Sequence, residues 1–160
     1  IRSAKFKIPM PKKKLEDTKD KLGNPIEIWQ SDTLQYTPTV PTFLKVYAEL
    51  IEKNYALESF SFKITNKVVW IQDSAGNVMA GIAYDFYQDT KVGWIVLSFT
   101  EPKYRGRGLN QICHNYFESE CKKAGMVYLS SLVSVDNQSR IKSAAKVGLV
   151  PKWYRMYKPL

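Results

Sequence analysis

Residues 100–110 read Thr100-Glu101-Pro102-Lys103-Tyr104-Arg105-Gly106-Arg107-Gly108-Leu109-Asn110. The apolar run Val92–Thr100 leads into this stretch, and a helical apolar period follows it from Leu109 to Lys123. The stretch is therefore predicted to join a buried strand, covered on both faces, to the first turn of a helix. Helix N-termini carry unpaired N–H groups and a partial positive charge, and glycine lets an anion approach the backbone. With two arginines beside the glycines, the pattern predicts a phosphate-binding loop.

The loop does not match the common nucleotide-binding motifs. The Gly-Lys-Ser/Thr ending of a P-loop is absent, and only two of the three glycines of a dinucleotide fingerprint can be placed. A tight strand-to-helix turn without a ligand is the alternative interpretation. The buried strand before the loop and the flanking arginines favour phosphate binding.

Outward from the loop, the hydrophobic period changes twice. Upstream it predicts a helix from Pro41 to about Asn54 and an antiparallel meander of strands. The strands are expected at 26–30, 60–64, 68–72, 78–87 and 92–100. Downstream of the helix from Leu109 to Lys123 it predicts a strand at 127–135, a helix at 137–147 and a last strand at 153–158. A strand-helix-strand crossover should place the strand at 127–135 parallel to the strand at 92–100 or close to it.

Length, composition and charge limit the functional classes. The chain has 160 residues and a net charge of +9, which suits a single domain of ordinary composition. We expect a basic N-terminal arm at 1–21 and one domain at 22–160. The one histidine, His114, excludes a multi-histidine metal site, and no metal is predicted. No apolar run reaches the roughly 18 residues of a membrane span, and two cysteines do not suggest a disulfide scaffold, so a cytoplasmic protein is expected.

The loop resembles the Pro-x-Tyr-Arg-Gly and Arg/Gln-x-x-Gly-x-Gly/Ala signature of GNAT-type N-acetyltransferases, which lies at the same strand-to-helix junction. The resemblance covers about Val68 to the C-terminus, including Val135-Asp136-Asn137 and Lys146-Val147-Gly148-Leu149. It implies an α+β, three-layer fold with a mixed, mainly antiparallel central sheet of about six to seven strands flanked by helices. It also implies direct transfer of an acetyl group from acetyl-CoA to a primary amine.

The resemblance assigns coenzyme contacts residue by residue. The pyrophosphate of coenzyme A would be held by Arg105, Gly106, Arg107, Gly108, Leu109 and Asn110. Backbone groups of Ser98, Phe99 and Thr100 would meet the pantetheine arm and the acyl carbonyl, and Asn137 would contact the coenzyme from the next helix. Two positions depart from the family pattern. Asn110 replaces a glycine or alanine, and Ala144 replaces a frequent tyrosine.

Transfer to an amine needs a base for the ammonium proton and an acid for the leaving thiolate. Asp85 is the predicted base, with a solvated strand face as its alternative role. Ser143, Tyr154 and Tyr157 are the candidate acids, although the two tyrosines suit sheet packing better. A water-mediated route is also open, because the strand at 92–100 carries no carboxylate. Cys113 is expected to be a buried structural thiol, and His114 a satisfied or exposed side chain.

The charge distribution leaves two other functions open. The segments 1–21 and 101–160 carry net charges of +5 and +7, and a basic surface of this kind suits a nucleic-acid partner. The second alternative is a catalytically silent protein that binds coenzyme A only. The segment 22–100 carries −3, which favours a cationic amine as the acceptor. The sequence is compatible with a monomer or a homodimer.

Overall fold

The computed structural model describes residues 12–55 and 62–152. Within these ranges the strands and helices follow in the order β1 (Lys13–Lys19), β2 (Pro25–Ser31), α1 (Val40–Glu52), β3 (Lys67–Gln72), β4 (Val78–Tyr87), β5 (Val92–Thr100), α2 (Leu109–Lys123), β6 (Tyr128–Ser131) and α3 (Gln138–Lys146). A short 3-10 helix, Pro102–Tyr104, lies between β5 and α2. The predicted bounds of β4, β5 and α2 are confirmed residue for residue.

The described strands form one open, mixed sheet in the order β1-β2-β3-β4-β5-β6. Neighbouring strands from β1 to β5 pair antiparallel, and β5 pairs with β6 in parallel. The α+β, mainly antiparallel architecture predicted from the sequence is therefore confirmed. The parallel pair follows from the crossover through α2, since a strand that returns after a helix runs in the same direction as the first strand.

Two apolar layers cover the sheet. On one face, here called the α2 face, Val69 and Ile82 pack with Phe117 of α2. On the other, the α1 face, Trp70 and Leu97 pack with Phe43 of α1. Residues of one strand alternate between the two faces, and this alternation decides which side chains can share a site.

Gly81 leaves room for a close contact between α1 and the sheet. A Cβ at Gly81 would lie 3.0 Å from the Phe99 ring and 3.3 Å from the Phe43 ring. The two rings use this space to meet edge-on, with their centroids 4.9 Å apart. The residue opposite Phe99 across the β4–β5 pair is therefore restricted in size by α1.

Three sequence-based expectations need correction. Residues 13–19 of the predicted arm form β1, because Leu15 packs against the core while the neighbouring charged side chains face solvent. β5 is not buried on both faces, since its buried residues alternate with half-buried ones, whereas β3 is buried at its four central positions. The strand predicted at 127–135 is shorter, ending at Ser131.

Other expectations fall partly or wholly outside the described residues. Of the strand predicted at 60–64, the described part, residues 62–64, is not strand and leads into a turn. The predicted last strand at 153–158 and Tyr154 lie outside the described ranges. No helix within the described ranges is long and apolar enough to cross a membrane.

Candidate functional site

The parallel strands β5 and β6 separate after four paired positions. Their pairing runs from Val92 opposite Tyr128 to Ile95 opposite Ser131, where β6 ends. β5 continues to Thr100 with β4 on its other side. Among the described strands, nothing pairs with the outer edge of residues 96–100. We call this unpaired edge and the space beside it the β5 gap.

A bulge marks the start of the β5 gap. Ile95 lies opposite Tyr84 and Leu97 lies opposite Ala83, so that Val96 is the extra residue between them. A bulge bends its strand and redirects the backbone groups beside it. The edge of β5 therefore begins to offer free N–H and C=O groups at the point where β6 turns away.

Two helix N-termini lie at the same end of the sheet as the β5 gap. β5 and β6 are parallel, α2 follows β5 through a short loop, and α3 follows β6. Ligands of open sheets with parallel strands commonly bind at this carboxyl end. The element order and the parallel pairing of β5 with β6 thus bring a strand edge and two helix N-termini to one place.

The loop before α2 presents backbone donors. Gly106 and Gly108 have φ angles of 78° and 74°, a conformation that residues with a Cβ rarely adopt. Gly108 is the N-cap of α2, and the first turn contains no acidic residue. Within the described residues, no protein acceptor is present for the backbone N–H groups of Gly106, Gly108, Leu109 and Asn110. These donors and the helix dipole suit a phosphate group.

The two loop arginines differ in their surroundings. Arg105 is exposed and forms no ion pair with a described acidic residue. The Arg107 side chain is 27% exposed; its Nη1 lies 3.7 Å from Oδ2 of Asp20, and its guanidinium lies 5.2 Å from the ring centre of Tyr104. Arg105 is therefore free to contact a phosphate, whereas Arg107 already has an anionic and an aromatic partner.

The end of β5 lines the gap mainly with backbone groups. Phe99 turns its ring to the α1 face, against Phe43, so its side chain lies in the core. Ser98 and Thr100 are half-buried at the gap edge. The predicted pantetheine contacts are compatible with this arrangement.

On α3, Asn137 and Ser143 are engaged in bonds within the helix. Asn137 is the N-cap, and its Oδ1 accepts a hydrogen bond from the Arg140 N–H at 3.1 Å. The Ser143 hydroxyl donates to the Arg140 carbonyl oxygen at 3.0 Å. Ser143 would have to break this bond to donate a proton to a leaving group. Ala144 beside it has no side-chain group that can donate one.

A buried histidine of α2 lies near enough to a partly buried arginine of α3 to be affected by its charge. His114 is 2% exposed, and its Nε2 has no hydrogen-bond partner in the described structure. Burial lowers the pKa of His114, and the nearby Arg140 charge lowers it further, against an opposing effect of Glu118. The expectation of a satisfied or exposed histidine is therefore wrong, because α2 turns this side chain inward beside Phe117.

Asp85 lies on the α1 face, and its partner on β5, Trp94, is two residues before the bulge at Val96. It shares that face with Ala83, two residues earlier on β4, and it lies opposite Trp94 of β5. Its Oδ1 accepts the Phe86 N–H at 2.9 Å, and it forms no ion pair with a described Lys or Arg. The start of the β5 gap at Val96 lies on the neighbouring strand, two residues beyond the partner of Asp85. Strand geometry therefore separates the backbones of Asp85 and Val96 by about 9 Å.

The remaining candidates have structural surroundings. The Cys113 thiol is buried, donates to the Val69 carbonyl oxygen, and has its pKa raised to about 12 by burial. Cys113 is thus the buried structural thiol that the sequence predicts. No group of three or more His, Cys, Asp and Glu side chains in the described ranges could hold a metal ion.

Sequence reasoning missed Asp20 and Arg140. The turn signal Gly23-Asn24-Pro25 marks the bend beside Asp20, but it does not show that Arg107 lies against it. Arg140 is one of several basic residues on a helical stretch, and only the structure shows that it is partly buried while Lys142 and Lys146 are exposed.

Solved structures share this fold at low sequence identity. A protein from Clostridium difficile 630 described as a possible acetyltransferase matches with a TM-score of 0.58 and 17% identity, over 84% of this chain and 97% of that chain. An aminoglycoside acetyltransferase from an uncultured soil metagenomic sample, solved with sisomicin, matches with a TM-score of 0.61 and 10% identity, over 84% and 96%. The aminoglycoside N-acetyltransferase AAC(6')-Iy, solved with CoA, matches with a TM-score of 0.55 and 12% identity, over 76% and 92%.

The family assignment rests on the sequence itself. No curated protein sequence matches the chain. The model of the acetyltransferase (GNAT) family matches residues 27–149, a range that runs from β2 past α3 and includes the glycine loop and the β5 gap. The chain therefore belongs to the GNAT acetyltransferase family.

Proposed function

We propose that the protein is an acetyl-CoA-dependent N-acetyltransferase that acts on a primary amine. The observation that carries this proposal is the β5 gap, which opens beside the glycine loop. There the backbone N–H groups of Gly106, Gly108, Leu109 and Asn110 have no acceptor among the described residues. One end of this arrangement suits a pyrophosphate, and the strand edge suits an extended arm with amide groups. The bound cosubstrate supplies an acyl group activated as a thioester.

The loop and the strand edge divide the binding work. Arg105 and the backbone N–H groups of the loop bind the phosphates, since both are free of protein anions in the described structure. The free edge at residues 96–100 orients the arm and donates an N–H to the carbonyl oxygen, where negative charge develops during transfer. Asn137 caps α3 and so fixes the second helix N-terminus beside the gap.

Asp85 is the proposed proton acceptor. Neutralising a lysine-like amine at pH 7 costs about 4.6 kcal/mol, so a nearby carboxylate or a water chain must take its proton. Asp85 is half-buried, has no cationic partner among the described residues, and shares the α1 face with Trp94. A carboxylate beside an aromatic ring attracts an ammonium group, which supports a cationic acceptor.

Ser143 and Tyr154 are side chains predicted from the sequence to assist the leaving thiolate as acids. Ser143 is bonded to the Arg140 carbonyl oxygen, and Tyr154 lies outside the described residues. Arg140 is partly buried, and among the described residues its side chain bonds to Ser143, through Nη1 at 3.5 Å. Its positive charge near the inner face of α3 can stabilise negative charge without transferring a proton.

Thermal unfolding with acetyl-CoA tests the proposal. A ligand at 100 times its Kd adds about 2.7 kcal/mol, which raises the midpoint by about 5–10 °C for a chain of this size. We expect this rise for the wild type and for Lys45→Ala, an exposed lysine on α1, and a much smaller rise for Arg105→Ala. No rise in the wild type would refute coenzyme binding.

Turnover then separates the catalyst from a silent binder. Release of free thiol is followed with a panel of cationic, neutral and anionic amines. We expect turnover with cationic amines and at least a hundredfold loss in Asp85→Asn. Coenzyme binding without turnover of any amine would support the silent alternative, and preference for anionic amines would contradict the role of Asp85.

A further inference from the structure

The turn between β1 and β2, residues 20–24, touches the glycine loop. The Lys21 N–H donates to the Arg107 carbonyl oxygen at 3.0 Å. Asp20 Oδ2 lies 3.7 Å from Arg107 Nη1. A Cβ at Gly108 would lie 3.5 Å from the Lys21 Cβ, an ordinary van der Waals distance, so the turn lies close to the N-cap of α2. We call these contacts the turn–loop contact.

Asp20 is an unusual group in this position because its side chain has no exposure to solvent. Its Oδ1 accepts the backbone N–H groups of Leu22 and Asn24, both at 2.9 Å. The Asn24 amide donates to the same carboxylate at 3.1 Å. Burial raises the pKa of Asp20, but these hydrogen bonds and the Arg107 charge outweigh burial and lower it below its usual value. The buried carboxylate therefore stays ionised at neutral pH.

Arg107 is held at both its backbone and its side chain. Its carbonyl oxygen is bonded to Lys21, and its guanidinium lies between the Asp20 carboxylate and the Tyr104 ring. The residues on either side of it, Gly106 and Gly108, have left-handed φ angles. The two glycines make the backbone of the loop more flexible. The contacts that hold Arg107 between them reduce this flexibility.

We propose that Asp20 is a positioning residue for the coenzyme site, acting through Arg107. By holding Arg107, it keeps the neighbouring N–H groups of Gly106 and Gly108 directed away from the protein and available to phosphate. Arg107 then stays with Asp20 when the coenzyme binds, and Arg105 is the arginine that contacts phosphate. This inference rests on the proposed function, since it concerns the same loop.

The alternative is that Arg107 leaves Asp20 to bind phosphate itself. The two schemes predict opposite effects of removing the Asp20 charge. If Asp20 positions the loop, Asp20→Asn weakens binding of coenzyme A. If Asp20 only competes with phosphate for Arg107, Asp20→Asn frees the arginine and strengthens binding. Asparagine retains an oxygen that accepts the Leu22 and Asn24 N–H groups, so the turn itself is preserved.

Calorimetric titration with coenzyme A tests the proposal. We expect about a tenfold increase in Kd for Asp20→Asn and for Arg107→Gln, and no further increase when the two are combined, because both remove one interaction. Asp17→Asn is the matched control, since Asp17 is an exposed β1 aspartate paired with Lys14, and its Kd should equal that of the wild type. With a turned-over amine, KM for acetyl-CoA should rise in Asp20→Asn while kcat stays unchanged.

A second measurement does not require coenzyme binding. Amide hydrogen exchange at Lys21, followed by NMR without ligand, reports on its bond to the Arg107 carbonyl oxygen. We expect faster exchange at Lys21 in Arg107→Gln and Asp20→Asn, with exchange in the β3 and β4 core unchanged. Arg107→Gln leaves the turn intact, so it keeps the test usable if Asp20→Asn unfolds.

The outcomes separate the two proposals. A wild type that binds no coenzyme A refutes the proposed function, whatever the exchange data show. Binding by the wild type with equal or tighter binding by Asp20→Asn overturns the positioning role alone. Additive losses in the combined variant overturn it as well, since Asp20 would then act independently of Arg107.

Discussion

Replacing Gly93 by alanine should destabilise the fold at the base of the β5 gap. Gly93 lies on β5 opposite Leu129 of β6, and a side chain at this position would point towards α2. An added Cβ would overlap the Cys121 sulfur and lie 3.2 Å from Leu129 Cδ2. Cys121 is 1% exposed, so its side chain has little room to move away.

The size of the effect follows from two opposing contributions. Overpacking a core by one methyl group costs typically about 1–3 kcal/mol, whereas exchanging glycine for alanine recovers about 0.4–1 kcal/mol through the unfolded chain. We expect a net loss of about 1–2 kcal/mol in the free energy of unfolding. For a chain of this size, each kcal/mol lowers Tm by about 2–4 °C.

A double-mutant cycle isolates the cause. Cys121→Ala alone should cost about 1 kcal/mol as a buried truncation, but in the Gly93→Ala background it should cost nothing or stabilise, because it removes the overlapping sulfur. Cys113→Ala is the matched control, since Cys113 is an equally buried cysteine of α2 that does not contact Gly93. Urea unfolding followed by circular dichroism measures all the variants. Equal stability of Gly93→Ala and wild type, or equal relief by both cysteine variants, would refute the packing argument.

Three further predictions concern ionisable groups. Hydrogen bonds from Lys14 and Trp29 lower the pKa of Glu27; because the folded state holds this carboxylate ionised, its stabilising effect is present above pH about 4–5 and is lost as the pH falls through the folded pKa. Between pH 7 and 3 the free energy of unfolding, measured with urea, should therefore fall less in Glu27→Gln than in the wild type. An identical pH dependence would contradict the contribution of Glu27. Cys113 and Cys121 should resist a thiol reagent at pH 8 in the folded protein and react once it unfolds, because burial raises the pKa of both to about 12; fast labelling of the native protein would show that α2 opens. In an NMR titration His114 should titrate below the usual range of a histidine, since burial and the Arg140 charge lower its pKa while Glu118 opposes them less strongly, and Arg140→Gln should shift the titration upward; an unchanged midpoint would show that Arg140 does not act on the imidazole.

Most of the fold could be predicted from local pattern. The apolar spacing of Leu109, Cys113 and Phe117 defines the buried side of α2, and the alternation along β4 and β5 follows from the same rule at period two. β1 was missed because its side chains are mostly charged and only Leu15 packs inward. An edge strand needs only one apolar face and a neighbour to pair with, so its sequence resembles a solvated arm.

The candidate site was only partly predictable. The glycine loop and its place before α2 follow from the order Gly106-Arg107-Gly108 after an apolar strand. The difference between Arg105 and Arg107 does not, because Asp20 is distant along the chain and reaches the loop through the β1–β2 turn. Asp85 could be placed on a strand, but its position beside the β5 gap depends on the register with Trp94.

Local sequence pattern was enough to predict most of the strands and helices from β2 to α3, the glycine loop before α2 and the family, because these depend on neighbouring residues and on local backbone preferences. The three-dimensional structure was needed to show where β5 parts from β6, which loop arginine has no acidic partner among the described residues, and that His114 turns inward and is affected by the Arg140 charge. These features depend on pairing register and on side chains from distant segments. Burial and electrostatic interactions act through space, so residues far apart in the sequence jointly decide whether a charged group remains available for a ligand.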